Sequence, residues 1–227
     1  MEQSYPLKIT KPVNVITDKK ELLKYVWAFT LGDGCLTVSK NKHRIKNNIN
    51  YTFDCSQISE HEDYILWRAD ILSNITGVYI QERQFSNNNT KLQLRTTTGR
   101  HPFFTTLRQR MYLNNNKIID PHDLKLLDWE TLAILYQDDG SLSLKDKKYN
   151  LHILSLATES FSYGDNILLQ RAIKDKTDIL FRVQKCIHNG HTLYRLDLSR
   201  KDDIKKFVDG VSKFIKPSFE YNINLHA

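Results

Sequence analysis

Two apolar segments of helical length, residues 23–34 and 130–140, both close on Asp-Gly. Each runs at once into a strand-like stretch, 35–39 and 141–144. The paired acids, Asp33 and Asp139, stand 106 positions apart in a chain of 227. That period is too long for a solenoid repeat and divides the chain into two similar halves, so whatever forms is built twice. The shared ending is chemically odd. The C-terminal end of a helix carries partial negative charge and disfavours an acid. Two such acids, one per half, point to something cationic near them.

The order of elements around the acids repeats as well. In the first half the pattern predicts a helix over 20–33, with Gly34 in the left-handed conformation that ends helices. Strands follow at 35–40 and 50–58, where Tyr51, Phe53 and Cys55 alternate with Thr52, Asp54 and Ser56. A helix over 61–74, strands at 78–85 and 91–98, and a helix over 101–113 complete the half. Pro121 breaks the chain and the order begins again: helix 128–139, strands 141–144 and 151–157, helix 161–176, strands 181–187 and 192–198, helix 201–215. The expected domains are an N-terminal extension (1–19), a first half (20–118) and a second half (119–227). His188-Asn189-Gly190-His191 reads as a hairpin turn rather than a pair of metal ligands.

The strands are two-faced. One face is apolar, as in Leu36, Leu94, Leu142, Val183 and Leu196. The other carries Thr37 and Ser39, Gln81 and Arg83, Gln93 and Arg95, Ser143 and Lys145, Arg182 and Gln184, Arg195 and Asp197. A solvated face of an antiparallel sheet has this look. So does a ribbon that reads base edges in the major groove. Lys40, Lys42, Arg44, Lys147, Lys148 and His152 extend the candidate nucleic-acid contacts. Lysine plus arginine exceed aspartate plus glutamate by 33 to 26, a net +7 that favours a polyanionic partner. Three scattered cysteines form no metal-binding or disulfide framework and suggest reduced thiols in an intracellular setting. Apolar runs stay short of the roughly 20 residues that cross a bilayer, so no membrane partner is expected.

Trp27-Ala28-Phe29-Thr30-Leu31-Gly32-Asp33-Gly34 and Leu132-Ala133-Ile134-Leu135-Tyr136-Gln137-Asp138-Asp139-Gly140 resemble the motifs of the LAGLIDADG homing endonucleases, in the single-chain form that carries two copies. The second copy matches well, and the first departs at its start, with Val26-Trp27 in place of Leu-Ala. The stretch 98–103 and then 116–124 resembles the linker of an intron-encoded subgroup, so the likeness covers nearly the whole chain.

The resemblance implies an α+β fold: a pseudo-twofold pair of αββαββα halves, with saddle-shaped antiparallel sheets facing DNA and motif helices packed at the domain interface. Small residues such as Ala28, Gly32 and Ala133 would permit that packing. It further implies that Asp33 and Asp139 meet above the scissile phosphates. Adjacent carboxylates repel each other and oppose their helix dipoles, and divalent cations relieve both costs. Mg²⁺ is the expected metal, with Mn²⁺ as a substitute, and the carbonyls of Gly32 and Asp138 are further candidate ligands. Lys117 falls where the subgroup carries a catalytic lysine, whereas its counterpart in the second half is Asn222. Unequal cutting of the two strands follows, or a substitute from Lys213 or Lys216. The implied activity is a Mg²⁺-dependent endodeoxyribonuclease, a monomer that makes a double-strand break in a long DNA target and promotes mobility of its encoding intron. The alternative is a group I intron maturase with the same fold and intron RNA as partner. A fungal intron-encoded source would place the protein in the mitochondrial matrix.

Overall fold

The structure is a computed structural model and describes residues 5–38, 50–83, 91–146, 148 and 151–224. The chain divides into two compact units, Met1–Gln109 and Arg110–Ala227.

In unit 1 the order is β1 (Leu7–Ile9), α1 (Lys19–Leu31), β2 (Cys35–Thr37), β3 (Thr52–Ile58), α2 (Glu62–Ser73), β4 (Val78–Arg83), β5 (Gln93–Thr98) and α3 (Pro102–Met111), whose last residues enter unit 2. The strands form one antiparallel sheet in the order β1-β4-β5-β3-β2. Asp18 caps α1 by accepting from the Lys20 amide at 2.8 Å. One sheet face is covered by helices. Phe29 of α1, Phe53 of β3 and Tyr64 and Trp67 of α2 form an aromatic cluster there, with Phe29 and Trp67 edge to face at 5.5 Å. Arg68 is fully buried in the same layer, its guanidinium 5.1 Å from the centre of the Tyr64 ring.

In unit 2 a hairpin of β6 (Tyr112–Leu113) and β7 (Asn116–Lys117) precedes α4 (Trp129–Asp139), β8 (Gly140–Asp146), β9 (Leu151–Leu156), α5 (Tyr163–Thr177), β10 (Arg182–His188), β11 (His191–Leu198) and α6 (Lys201–Val211). The four-stranded antiparallel sheet has the order β10-β11-β9-β8. This is the order of β4-β5-β3-β2 in unit 1, so the internal repeat seen in the sequence is a repeat of topology. Its core is again aromatic: Phe207 of α6 meets Tyr136 of α4 and Phe181, both at 5.5 Å. Capping boxes start α4 (Asp128 with Thr131) and α5 (Ser162 with Asp165).

The structure departs from the sequence reading in three places. Residues 5–18 carry an edge strand, β1, and a strap held by α2. Asp70 accepts from the Val13 amide at 2.6 Å, the Asn14 amide at 3.1 Å and the Asn14 side chain at 2.7 Å. Asn74 Oδ1 accepts from the Ile16 amide. The helix expected to reach residue 113 stops at Met111, because Asn114 and Asn115 adopt positive φ (49° and 67°) and close a tight hairpin. The last helix stops at Val211 and continues as short 3₁₀ turns. The Asn189-Gly190 turn is as expected, with φ of 49° and 79° joining β10 to β11. Among the described residues no helix is long and apolar enough to cross a membrane.

Candidate active site and nucleic-acid face

The two motif helices are buried far beyond a single stripe: residues 25–31 of α1 and 131–137 of α4 are buried without interruption. Each buried run gives way abruptly to a more open carboxylate. Asp33 is exposed and lies in the turn just past α1. Gln57 of β3 donates from Nε2 to its Oδ2 at 3.1 Å. Asp139 is half-buried and is the last residue of α4, its carbonyl accepting from the Ala157 amide at 2.8 Å. The helix thus ends just before one acid and on the other.

Both motif glycines are required for space. The sequence reading put Gly34 in the left-handed conformation, but among the described residues the one glycine with positive φ is Gly190. A Cβ on Gly34 would fall 2.4 Å from the Phe29 carbonyl oxygen and 2.4 Å from the Phe53 ring. On Gly140 it would fall 2.1 Å from the Tyr136 ring. Gly140 is extended, at φ −90° and ψ 150°. The glycine lets the strand leave the helix end while touching it, which fixes the adjoining carboxylate.

The remaining candidates are placed as follows. Gly32 closes α1, donating its amide to the Ala28 carbonyl at 3.2 Å, and Asp138 is the penultimate residue of α4. Lys117 is half-buried in β7, opposite Tyr112. In the C-terminal segment the Asn222 carbonyl accepts from the Tyr136 hydroxyl at 2.6 Å, and the Lys216 amide donates to Gln137 Oε1 at 2.7 Å. That segment is therefore pinned to α4 within three residues of Asp139. Lys213 instead lies over the Phe214 ring at 4.8 Å. Burial, and secondarily the nearby Tyr221, push the Tyr136 phenol well above the usual tyrosine range.

On the sheets, Gln93 and Arg95 alternate with the buried Leu94 and Thr96, and Arg195 and Asp197 with the buried Leu196 and Leu198. Thr37, Gln81, Arg83, Ser143, Arg182 and Gln184 stand at exposed or half-buried strand positions. Lys145 sits at a register shift between Leu144 and Asp146, and Lys148 follows in the exposed turn. His152 is placed differently from the polar set: it opposes Leu144 and shares the phase of the buried Leu154 and Leu156. Ser39, Lys40, Lys42, Arg44 and Lys147 lie outside the described residues.

Two site features escaped the sequence reading. One is Gln57, a polar residue in the apolar phase of β3, and that misfit was its available signal. The other is the bracing of two candidate arginines, Arg95 and Arg195, by carboxylates. Arg95 Nε donates to both oxygens of Asp54 at 3.0 Å, and Arg195 Nε donates to Asp197 Oδ1 at 2.9 Å. These hydrogen bonds raise the pKa of each guanidinium.

Among the described residues no three His, Cys, Asp or Glu side chains cluster as a metal cage. The donors at the motif ends are hard oxygens: the Asp33 carboxylate in unit 1, the Asp138 and Asp139 carboxylates in unit 2, and neighbouring carbonyls. Mg²⁺ takes such sets, completing its shell with water and substrate phosphate.

Comparison with known proteins agrees with this arrangement. The chain is 28% identical over 204 residues to an uncharacterised protein of Methanocaldococcus jannaschii, MJ1098, covering 90% of this chain and 74% of that protein. It is 24% identical over 185 residues to the DNA endonuclease I-ChuI of Chlamydomonas applanata, covering 73% and 80%. It also spans 44% of the length of several mycobacterial RecA proteins. Its fold matches the homing endonuclease I-WcaI, solved bound to its DNA recognition sequence, with a TM-score of 0.72 at 19% identity over 93% of this chain and 89% of that one. The family model of the LAGLIDADG DNA endonucleases matches residues 29–207, which take in both motif ends and every sheet strand from β2 to β11. The chain belongs to the LAGLIDADG DNA endonuclease family.

Proposed function

We propose that this protein cuts one long double-stranded DNA site through Asp33 and Asp139, one carboxylate for each strand, with Mg²⁺ as the metal and Mn²⁺ as a substitute. The family acts as site-specific endodeoxyribonucleases, and membership gives this chain that activity. The roles of Asp33 and Asp139 are supported by the repeated construction at the motif ends. In each unit a buried helix gives way to an acid at or just past its end, and a glycine with no room for a Cβ holds that acid against the strand that follows.

Each residue then has a task. Asp33 and Asp139, with the carbonyls of Gly32 and Asp138, would hold the metal. Bound there, Mg²⁺ would polarise the scissile phosphate and stabilise the leaving 3′ oxygen. Gln57 orients Asp33 through its hydrogen bond. Lys117 would stabilise charge on the phosphate. In the second half, Lys216 is favoured over Lys213 for that task, since its backbone is tied to Gln137 while Lys213 rests on Phe214. The polar sheet faces would lie along the major groove. With both motifs in one chain, a monomer suffices, and mobility of the encoding intron is the expected role.

The test is incubation of the protein and Mg²⁺ with intron-less host-gene DNA spanning the insertion junction. A double-strand break near the junction is expected. Absence of cleavage, together with stimulated splicing of the precursor RNA, would replace the nuclease by a maturase.

A further inference from the structure

The strand registers align the two units residue by residue. Cys35, two residues after Asp33, opposes Asp54, and Ser141, two residues after Asp139, opposes Ser155. Asp54 in turn opposes Thr97 on β5, and Ser155 opposes Asp197 on β11. Two residues before these, Arg95 opposes Gln81 and Arg195 opposes Gln184. Arg95 and Arg195 are therefore equivalent positions, each with a glutamine beside it. Each also lies two strands, about 10 Å, from the strand into which its motif carboxylate leads.

Both arginines are braced, but by acids from different strands. Asp54 on β3 holds Arg95, while Asp197, on the same strand as Arg195, holds its partner. The two halves thus keep a fixed guanidinium rather than a fixed aspartate. The arginine side chains are 42% and 38% exposed against 16% and 13% for their acids, so each guanidinium stands out toward solvent while its carboxylate sits lower against the sheet. In both cases the carboxylate takes the Nε–Nη2 edge, so the outer end of the guanidinium, with N–H groups of both Nη1 and Nη2, points away from it. That end is the fork which matches O6 and N7 of guanine, and a braced guanidinium loses less freedom on making the contact.

We propose that Arg95 and Arg195 each read a guanine in the major groove, at matching distances from the two cuts, with Asp54 and Asp197 as the positioning residues that fix their planes. This rests on the endonuclease reading above. Selection of cleaved sequences from a randomised duplex library with the full chain and Mg²⁺ tests it. The wild-type consensus should contain a guanine in each half at mirrored positions. Arg95→Ala should erase one preference and Arg195→Ala the other, each by about 5- to 150-fold. Arg95→Gln should shift its position toward adenine, a gain that an unfolded variant could not show. Asp54→Asn and Asp197→Asn should blur the same single positions with thermal melts near wild type. A consensus unchanged by the arginine variants overturns this inference alone. A wild-type protein that enriches no sequence overturns it together with the endonuclease reading.

Discussion

Tyr136 shows how much one side chain can carry in this fold. It lies in the motif helix, packs on Phe207, crowds Gly140 and donates to the Asn222 carbonyl. Its phenol pKa is raised by burial, so the folded protein keeps this proton more tightly than the unfolded chain, where tyrosine titrates near about 10. The stability linked to it is present in full below about pH 10 and is lost as pH rises through the folded value. Tyr136→Phe should cost about 0.5–1.5 kcal/mol at neutral pH, from the lost hydrogen bond, and flatten the alkaline fall in stability. Denaturant melts across that range are the check. The motif glycines make a second residue-scale case. Gly34→Ala or Gly140→Ala should destabilise by about 1–3 kcal/mol through overpacking. Had the glycines served for left-handed backbone, asparagine would be tolerated at these positions; the contacts predict that it is worse than alanine, as thermal melts of both variants would show.

At the scale of elements, the strands and helices were legible where burial follows a simple period. Leu94, Thr96 and Thr98 alternate with half-buried residues as the pattern of β5 required. β1 was not legible, because three residues carry too little periodicity and are stabilised by pairing with β4. Nor could the sequence show the strap, which depends on Asp70 meeting amides 56 and 57 positions away. Asp70→Ala should release residues 7–16 to fast hydrogen exchange while α4 and its sheet stay protected, at about 1.5–3 kcal/mol for each charge-assisted bond lost. Uniform loss of protection across both units would contradict this local role. Within the site, Asp33 and Asp139 were visible because a carboxylate beside an apolar helix end defies the helix dipole. The Arg95 brace was not, since Asp54 lies 41 positions away and only the strand register joins them, whereas Arg195 and Asp197 stand two residues apart on one strand face.

For the whole molecule, the repeat is the organising fact. Two units sharing a four-strand order each carry an acid at or just past the end of a buried helix, and each carries a braced arginine at the same register. The net charge of +7 suits a duplex partner, and binding should weaken steeply with salt as phosphate contacts release counterions. Lys117 and Lys216 stand in different settings, one in the β6–β7 hairpin and the other tied to Gln137, so one strand should be cut faster than the other, with nicked circles appearing before linear DNA. The central claim is that one carboxylate per unit performs the chemistry. It is tested most directly by cleavage of a supercoiled plasmid carrying the target, in Mg²⁺, by Asp33→Asn and Asp139→Asn, alongside equilibrium binding of the same duplex. Both variants should fail to linearise the plasmid and still bind the duplex with near wild-type affinity. Linearisation at the wild-type rate by either variant would contradict the account.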